Sequence, residues 1–291
     1  MLWLIYGWKG WIGGQIVDIL RQLGEQIAQG NARLDNYQQT LEEIQNIKPN
    51  RIICAIGRTS GPGHPNIDYL ELPGKLPENL RDNLHGPLNL AMISQDEKIH
   101  MTYIGTGCIY EFDEKHLINW QESQGYTENE APNFNKSQYS AVKGVTDQLI
   151  INFKNVLNAR IRMPITYQNH PHNFITKIAK YKKVISIPNS MTILPQLLPL
   201  LIDLAKKETT GPINLTNPGA ISHKEVLDMY TEIVDPNFKY EIMDLAEFQS
   251  YIIGQRSNNY LDTSLLEQHY PHIMPIKEAI REALRRMKLT N

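Results

Sequence analysis

Cysteine is scarce in this chain: its 291 residues include only Cys54 and Cys108. Two thiols in a chain of this size exclude a disulfide-stapled secreted scaffold. They point to a reducing compartment, although the count alone permits one bridge. An excess of charge of one sign is missing too. Lys and Arg number 29 against 31 Asp and Glu, for a net charge of −2, which gives no electrostatic reason to expect nucleic acid or an anionic membrane as partner. No apolar run reaches the ~20 residues of a membrane-spanning helix, and 194–205 has only the length of an ordinary helix. The apolar start at 1–6 lacks a basic lead-in and a small-residue cleavage site, so it is not read as a signal peptide. Repeats and low-complexity tracts are absent as well. A soluble cytosolic protein is expected.

What is present is a strand–helix rhythm. Apolar strand-like runs at 2–6, 51–56, 99–105 and 156–162, with a weaker one at 25–29, alternate with helical spacing at 12–23, 37–46, 78–95 and 137–153. Such alternation predicts an α/β protein: a doubly wound parallel sheet of the Rossmann type with helices on both faces. Two segments break the rhythm, a Gly/Pro-rich one at 57–76 and a polar one at 112–136. The second exceeds the ~12–15 residues beyond which loops tend to be lids or binding loops. Both follow the C-terminal ends of strands, where open α/β sheets bind ligands. Residues 164–192 are irregular and basic, a helix at 193–207 and a strand at 212–216 resume the rhythm, and 222–291 is mostly helical. Residues 1–163, completed by about 192–217, are therefore expected to bind a dinucleotide, and 164–191 with 218–291 to form a substrate-binding region.

The string GWKGWIG at 7–13 is a GxxGxxG between the first strand and the first helix. Gly7, Gly10 and Gly13 let the backbone turn sharply and approach a pyrophosphate at the helix N-terminus, with Trp11 and Ile12 in the same turn. An NAD-specific site places an acid about 20 residues on, at the end of the second strand, to hold the ribose 2′-OH. Here no carboxylate occurs there before Asp35, whereas Arg33 is available for a 2′-phosphate. NADP(H) is the expected cofactor.

Tyr139 and Lys143 are four apart on a predicted helix and so share a face. A Lys ammonium beside a phenol lowers the phenol's pKa from ~10, which makes Tyr a usable proton donor or acceptor. Thr106, at the end of the preceding strand, can hydrogen-bond a substrate carbonyl. Lys143 can also hold the nicotinamide ribose. These parts together predict a carbonyl reductase. Cys108, two residues beyond Thr106, has no part in that step.

The GxxGxxG turn, Thr106 and Tyr139-xxx-Lys143 resemble those of the extended short-chain dehydrogenases/reductases. The strings YGWKGWIGG (6–14), GTGCIYEF (105–112), RMPI (162–165), NFITKI (173–178), IPNSMTIL (187–194), TNPGAISHKEVLDMY (216–230) and RSNNYLD (256–262) are similar to the plant and viral nucleotide-rhamnose synthase/epimerase-reductases, relatives of dTDP-4-dehydrorhamnose reductase. The resemblance runs from residue 1 to about 285. The dehydratase domain fused in some plant relatives is not part of it. It implies that UDP- or dTDP-4-keto-6-deoxyglucose is inverted at C3 and C5 and then reduced at C4 with NADPH. A separate 4,6-dehydratase would supply that substrate, and a homodimer is expected.

In that reading Cys108 has a task. The 4-ketone acidifies the C3 and C5 protons, and inversion needs a base on one face and an acid on the other. The resemblance assigns the partner to Lys177, with His170 and His172 as rivals because GDP-fucose synthase uses a His. It assigns Arg256 to the diphosphate and places Asn173, Asn189 and Asn217 in matching substrate-side segments, where each could equally be a turn residue. Ile56 and Pro164, at strand ends, complete the implied cofactor contacts. No metal is expected, since His170 and His172 have no further ligand cluster behind them. No motif separates uracil from thymine. A reductase without epimerase activity, and a non-catalytic NADP-binding regulatory subunit, both remain compatible with the motifs.

Overall fold

Trp3, Leu4, Ile5 and Tyr6 are all fully buried, so strand β1 (Leu2–Tyr6) reads as a continuous apolar run because both of its faces are covered. The computed structural model describes residues 1–119 and 124–290, so positions 120–123 of the polar segment 112–136 lie outside the described residues. The main sheet adds β2 (Gln26–Gln29), β3 (Arg51–Cys54), β4 (His100–Thr106), β5 (Val156–Ile161) and β6 (Gly211–Asn214), in the order β6-β5-β4-β3-β1-β2. β1 pairs in parallel with β2 and β3, and β3 with β4. The chain runs from β1 out to β2, then returns past β1 to build β3 onward. The strand order therefore reverses between β1 and β3, the place where doubly wound sheets open a ligand crevice.

The chain divides into two compact units. The first comprises Met1–Ile109, Ala131–Arg160 and Leu198–Ile213; the second comprises Tyr110–Glu130, Ile161–Leu197 and Asn214–Asn291. In the first, the helix Trp11–Gln22 buries Ile16, Val17 and Leu20, and Ile44, Leu90 and Met101 join Leu4 and Ile52 in one apolar core.

The helix expected over 78–95 is broken. It runs as Leu76–Leu80, a π turn Arg81–His85, and Gly86–Asp96. Pro87 explains the break: it has no N–H to give the Asn83 carbonyl four residues back. The Thr146 hydroxyl donates to that carbonyl instead, at 2.7 Å. The Gly/Pro-rich segment also holds a short helix, Asp68–Glu71.

The second unit packs the helix His223–Ile233 against Ile276–Thr290. Ser222 and Glu225 close a capping box at the start of the former. Ile165, Ile175, Met191, Val226, Ile280 and Leu284 fill the interior. Two-residue ladders join Pro164–Ile165 to Thr192–Ile193, Pro188–Asn189 to Ile221–Ser222, and Lys183–Val184 to Glu241–Ile242. Strands this short carry no periodicity, which is why 164–192 reads as irregular. The stretch Tyr110–Glu130 belongs to this unit because Tyr126 bridges Leu261 and its carbonyl accepts the Asn214 amide at 2.8 Å. The Tyr126 ring also stacks on Tyr110 and His116, at 4.3 and 3.6 Å between centroids. Among the described residues no helix is long and apolar enough to cross a membrane.

Candidate active site

Gly7 adopts φ +82°, and a Cβ there would lie 2.6 Å from the carbonyl oxygen of Ala55. A Cβ on Gly13 would lie 2.2 Å from the Gly7 oxygen. Neither position tolerates a side chain, and together they bring the loops after β1 and β3 into contact at the reversal point. The Gly10 amide closes the turn on the Gly7 oxygen at 2.9 Å. Gly10 then caps the helix Trp11–Gln22, which has no side-chain cap and no acid in its first turn among the described residues. Its first amides are therefore directed at an anion. Trp11 and Ile12 are half-buried in that turn, and Ile56 is half-buried just past Ala55. This cradle fits a dinucleotide pyrophosphate. Pro164 lies in the second unit, in the ladder with Thr192–Ile193.

Thr106 ends β4, and Tyr139 and Lys143 lie on the helix Gln138–Ile150, whose N-terminus is capped by Ser137. The Cys108 amide donates to Thr106 Oγ1 at 3.0 Å, and Thr106 lies close enough to Tyr139 to influence its phenol. Thr106, Tyr139 and Lys143 are all buried. Cys108 is half-buried and packs with Tyr139 against Tyr69, Leu70 and Leu72. The short helix Asp68–Glu71 supplies that wall, and Glu71 accepts the Gln138 amide at 2.8 Å. Sequence reasoning missed these wall residues because Pro and Gly on both sides mask a four-residue helix. Both cysteines are free thiols.

Burial raises the Tyr139 phenol, charge on Cys108 raises it further, and Thr106 acts the other way. The phenol is therefore raised on balance, where a lowering by Lys143 was expected. The Lys143 ammonium instead donates to the hydroxyl of Tyr103. A raised phenol stays protonated at neutral pH, the form that a proton donor to a ketone requires. Burial brings Lys143 itself down to about 8, opposed by Cys54, Asp147 and Cys108.

Arg33 lies in the loop after β2. Its Nε pairs with Asp35 at 3.0 Å and its Nη2 sits 3.9 Å from Asp82. Arg58 and Arg81 also hold Asp82, at 2.6 and 2.8 Å, so three guanidinium groups meet around one carboxylate. Burial pushes the Asp82 carboxyl up, but its bonds to Arg81 and Arg58 win and hold it below the usual range. An acid does reach the loop after β2: Glu43, from the helix Tyr37–Ile47, accepts the amides of Asn31 and Ala32 at 2.9 and 3.1 Å. Its distance along the chain hid it from sequence reasoning.

In the second unit Lys177 is half-buried on the short helix Phe174–Ile178, and burial lowers its pKa. Lys180 and Lys182 are exposed, and Lys183 pairs with Glu247 at 2.6 Å. Burial, then the charge of Lys177, lowers both His170 and His172, whose rings lie 5.3 Å apart.

Asn173, Asn189 and Asn217 are wholly buried, and their amide donors are taken up by the chain. Asn173 caps the Lys177 helix and donates to the Thr166 and Gln168 carbonyls at 3.0 and 2.8 Å. Asn189 accepts from Arg162 and donates to Asn258, at 2.7 and 2.9 Å. Asn217 donates to Gln196 and to the Met274 carbonyl, at 2.9 and 3.0 Å. These side chains shape backbone. Arg256 is half-buried and donates to the Gly254 carbonyl.

No family model matches the chain. It is 49% identical over 289 residues to protein L780 of Acanthamoeba polyphaga mimivirus, covering 99% of each. The crystal structure of that protein, described as a UDP-rhamnose synthase, superposes with a TM-score of 0.95 over 99% of each chain. The chain is also 41% identical over 278 residues to the bifunctional dTDP-4-dehydrorhamnose 3,5-epimerase/dTDP-4-dehydrorhamnose reductase of Arabidopsis thaliana, covering 95% of this chain and 90% of that protein. The dTDP-4-dehydrorhamnose reductase of Bacillus anthracis, solved with NADP, shares the fold with a TM-score of 0.78 at 19% identity, over 100% of this chain and 98% of that one. Sheet order, glycine turn and the Thr106, Tyr139 and Lys143 cluster define an extended short-chain dehydrogenase/reductase. Within that class, the chain belongs to the nucleotide-rhamnose 3,5-epimerase/4-reductase family.

Proposed function

We propose that this protein is a bifunctional enzyme that converts UDP- or dTDP-4-keto-6-deoxyglucose to the nucleotide-β-L-rhamnose, using NADPH. The observation that carries the reading is the cluster of buried Thr106, Tyr139 and Lys143 with half-buried Cys108, in a chain with whole-length identity to the epimerase-reductases. The first unit binds NADP(H), with Arg33 directed to the 2′-phosphate and Lys143 to the nicotinamide ribose. The second unit binds the sugar nucleotide, with Arg256 on the diphosphate. Asn173, Asn189 and Asn217 act through the backbone they hold. The cofactor, when bound, supplies the hydride for C4.

Inversion comes first. Cys108 and Lys177 exchange protons at C3 and C5: one, deprotonated, removes the ring proton, and the other, protonated, returns one to the opposite face. The charge left on removal is an enolate centred on the C4 oxygen, and the Thr106 and Tyr139 hydroxyls hydrogen-bond that oxygen. In the reduction that follows, Tyr139 transfers its phenolic proton to the same oxygen as the C4–H bond forms. Lys143 stabilises the phenolate that remains until solvent restores the proton.

Two variants test the division of labour. C108A and K177A are expected to lose conversion of the unepimerised 4-keto-6-deoxyglucose nucleotide while still reducing 4-keto-rhamnose nucleotide made separately, followed by loss of NADPH absorbance. If both variants still convert the unepimerised substrate to the rhamnose nucleotide, the epimerase assignment fails.

The reaction places this protein downstream of a separate 4,6-dehydratase, and the two free thiols suit the cytosol. A homodimer through the helices Gly86–Asp96 and Gln138–Ile150 is part of the proposal, because Met92, Val145 and Leu149 stand exposed on them.

A further inference from the structure

Lys143 is nearly inaccessible, at 4% exposure, and its ammonium has three N–H groups to satisfy. It donates one to the hydroxyl of Tyr103. The same nitrogen lies beyond the hydroxyl edge of the Tyr103 ring, 4.4 Å from its centroid. Tyr103 belongs to β4, three residues before Thr106, with its ring in the core of the first unit. Burial, then the charges of Cys54, Tyr139 and Asp147, push its phenol well above the usual range. It therefore faces the ammonium as a neutral acceptor.

We propose that Tyr103 is a positioning residue of the reductase, its hydroxyl keeping Lys143 charged and aligned for Tyr139 and the cofactor ribose. This rests on the reductase reading above. A hydrogen-bond acceptor on a buried cation favours its charged form, and a bond to a hydroxyl fixed in the core limits where the ammonium can swing. A phenylalanine would satisfy the core equally well, so the hydroxyl needs a reason of this kind.

The other groups around Lys143 cannot replace that contact. Cys54 ends β3, Cys108 follows β4, and Asp147 is one turn along the same helix. Asp147 is itself held by Arg160 and Asn158, both at 2.6 Å. From the helices packed against Gln138–Ile150, Glu71 bonds the Gln138 amide at 2.8 Å, Glu78 pairs with Arg58 at 2.9 Å, and Asp82 with Arg81 at 2.8 Å.

The test is the pH profile of kcat/KM for reduction of pre-epimerised 4-keto-rhamnose nucleotide by wild type and Y103F. The alkaline limb reports loss of the Lys143 charge. In Y103F it is expected to move by about one pH unit to lower pH, a roughly tenfold change in the ratio of charged to neutral lysine, with a raised KM for NADPH. An unshifted limb with wild-type KM for NADPH overturns the proposal, whether or not the rate is uniformly reduced.

Should Y103F not fold, nitrogen-15 NMR of labelled wild-type protein decides. A slowly exchanging ammonium signal that is missing from K143M supports the contact, and its absence overturns it. Wild-type protein that turns over no NADPH would sink the reductase reading instead, a result separate from either arm.

Discussion

Lys143 carries an electrostatic cost in the folded protein. Its folded pKa of about 8 lies below the ordinary lysine value of ~10.4. Between those values the unfolded chain holds a proton that the folded chain does not, so this residue's contribution to stability rises with pH through the window. Below about 8 its full destabilising effect is present. K143M, which keeps the stem and removes the charge, is therefore expected to stabilise the fold relative to wild type, and by more at about pH 7 than at about pH 9.5. Urea unfolding at the two pH values measures this, and an equal difference at both would show that burial is not what shifts Lys143. The Thr106, Tyr139 and Lys143 set was readable from spacing, because a strand end and an i, i+4 pair bring such residues together in any fold of this class. Tyr103 was not readable: nothing in its sequence context distinguishes a core tyrosine from one whose hydroxyl holds a buried lysine.

Among the elements, the π turn Arg81–His85 shows how one proline sets local geometry. Pro87 denies the Asn83 carbonyl its helical donor, and Thr146 replaces it at 2.7 Å. Asn83 is thereby fixed with its side chain turned to the loop after β3, where it accepts the Arg58 amide and donates to the Arg58 carbonyl, each at 2.9 Å. T146V removes the replacement donor and leaves a buried carbonyl unsatisfied, at a cost of about 1–3 kcal/mol. Chemical denaturation should show that loss together with a raised KM for NADPH, since the loop held by Asn83 touches the glycine turn. Unchanged stability would mean the carbonyl finds another donor. Pro87 stood in the sequence, yet apolar spacing at Leu80, Leu84 and Leu88 continues through the break, so periodicity alone predicts an uninterrupted helix. The glycine turn was fully legible, because positive φ and close backbone approach leave glycine as the one residue that fits.

For the whole molecule, the alternation of strands and helices revealed the sheet, since the short apolar runs that became β1, β3, β4 and β5 had to be strands covered on both faces. The second unit was much less legible. Its strands are two residues long, and its buried amides, Asn173, Asn189 and Asn217, look from sequence like ligands or turns while serving as internal hydrogen-bond hubs. Assembly is testable at the same scale. L149E combined with V145E places charge on the exposed apolar stripe of Gln138–Ile150, and sedimentation should report a dimer for wild type and a monomer for the double variant. A wild-type monomer would remove the homodimer from the account.

The central claim is that one polypeptide both inverts C3 and C5 and reduces C4. The measurement that reaches it most directly is NMR of the product formed by wild-type protein from UDP-4-keto-6-deoxyglucose and NADPH in D2O. A UDP-β-L-rhamnose product with deuterium at both C3 and C5 is predicted. Reduction to a product that keeps the original configuration and protium at those carbons, or no reaction until a separate epimerase is added, would contradict it.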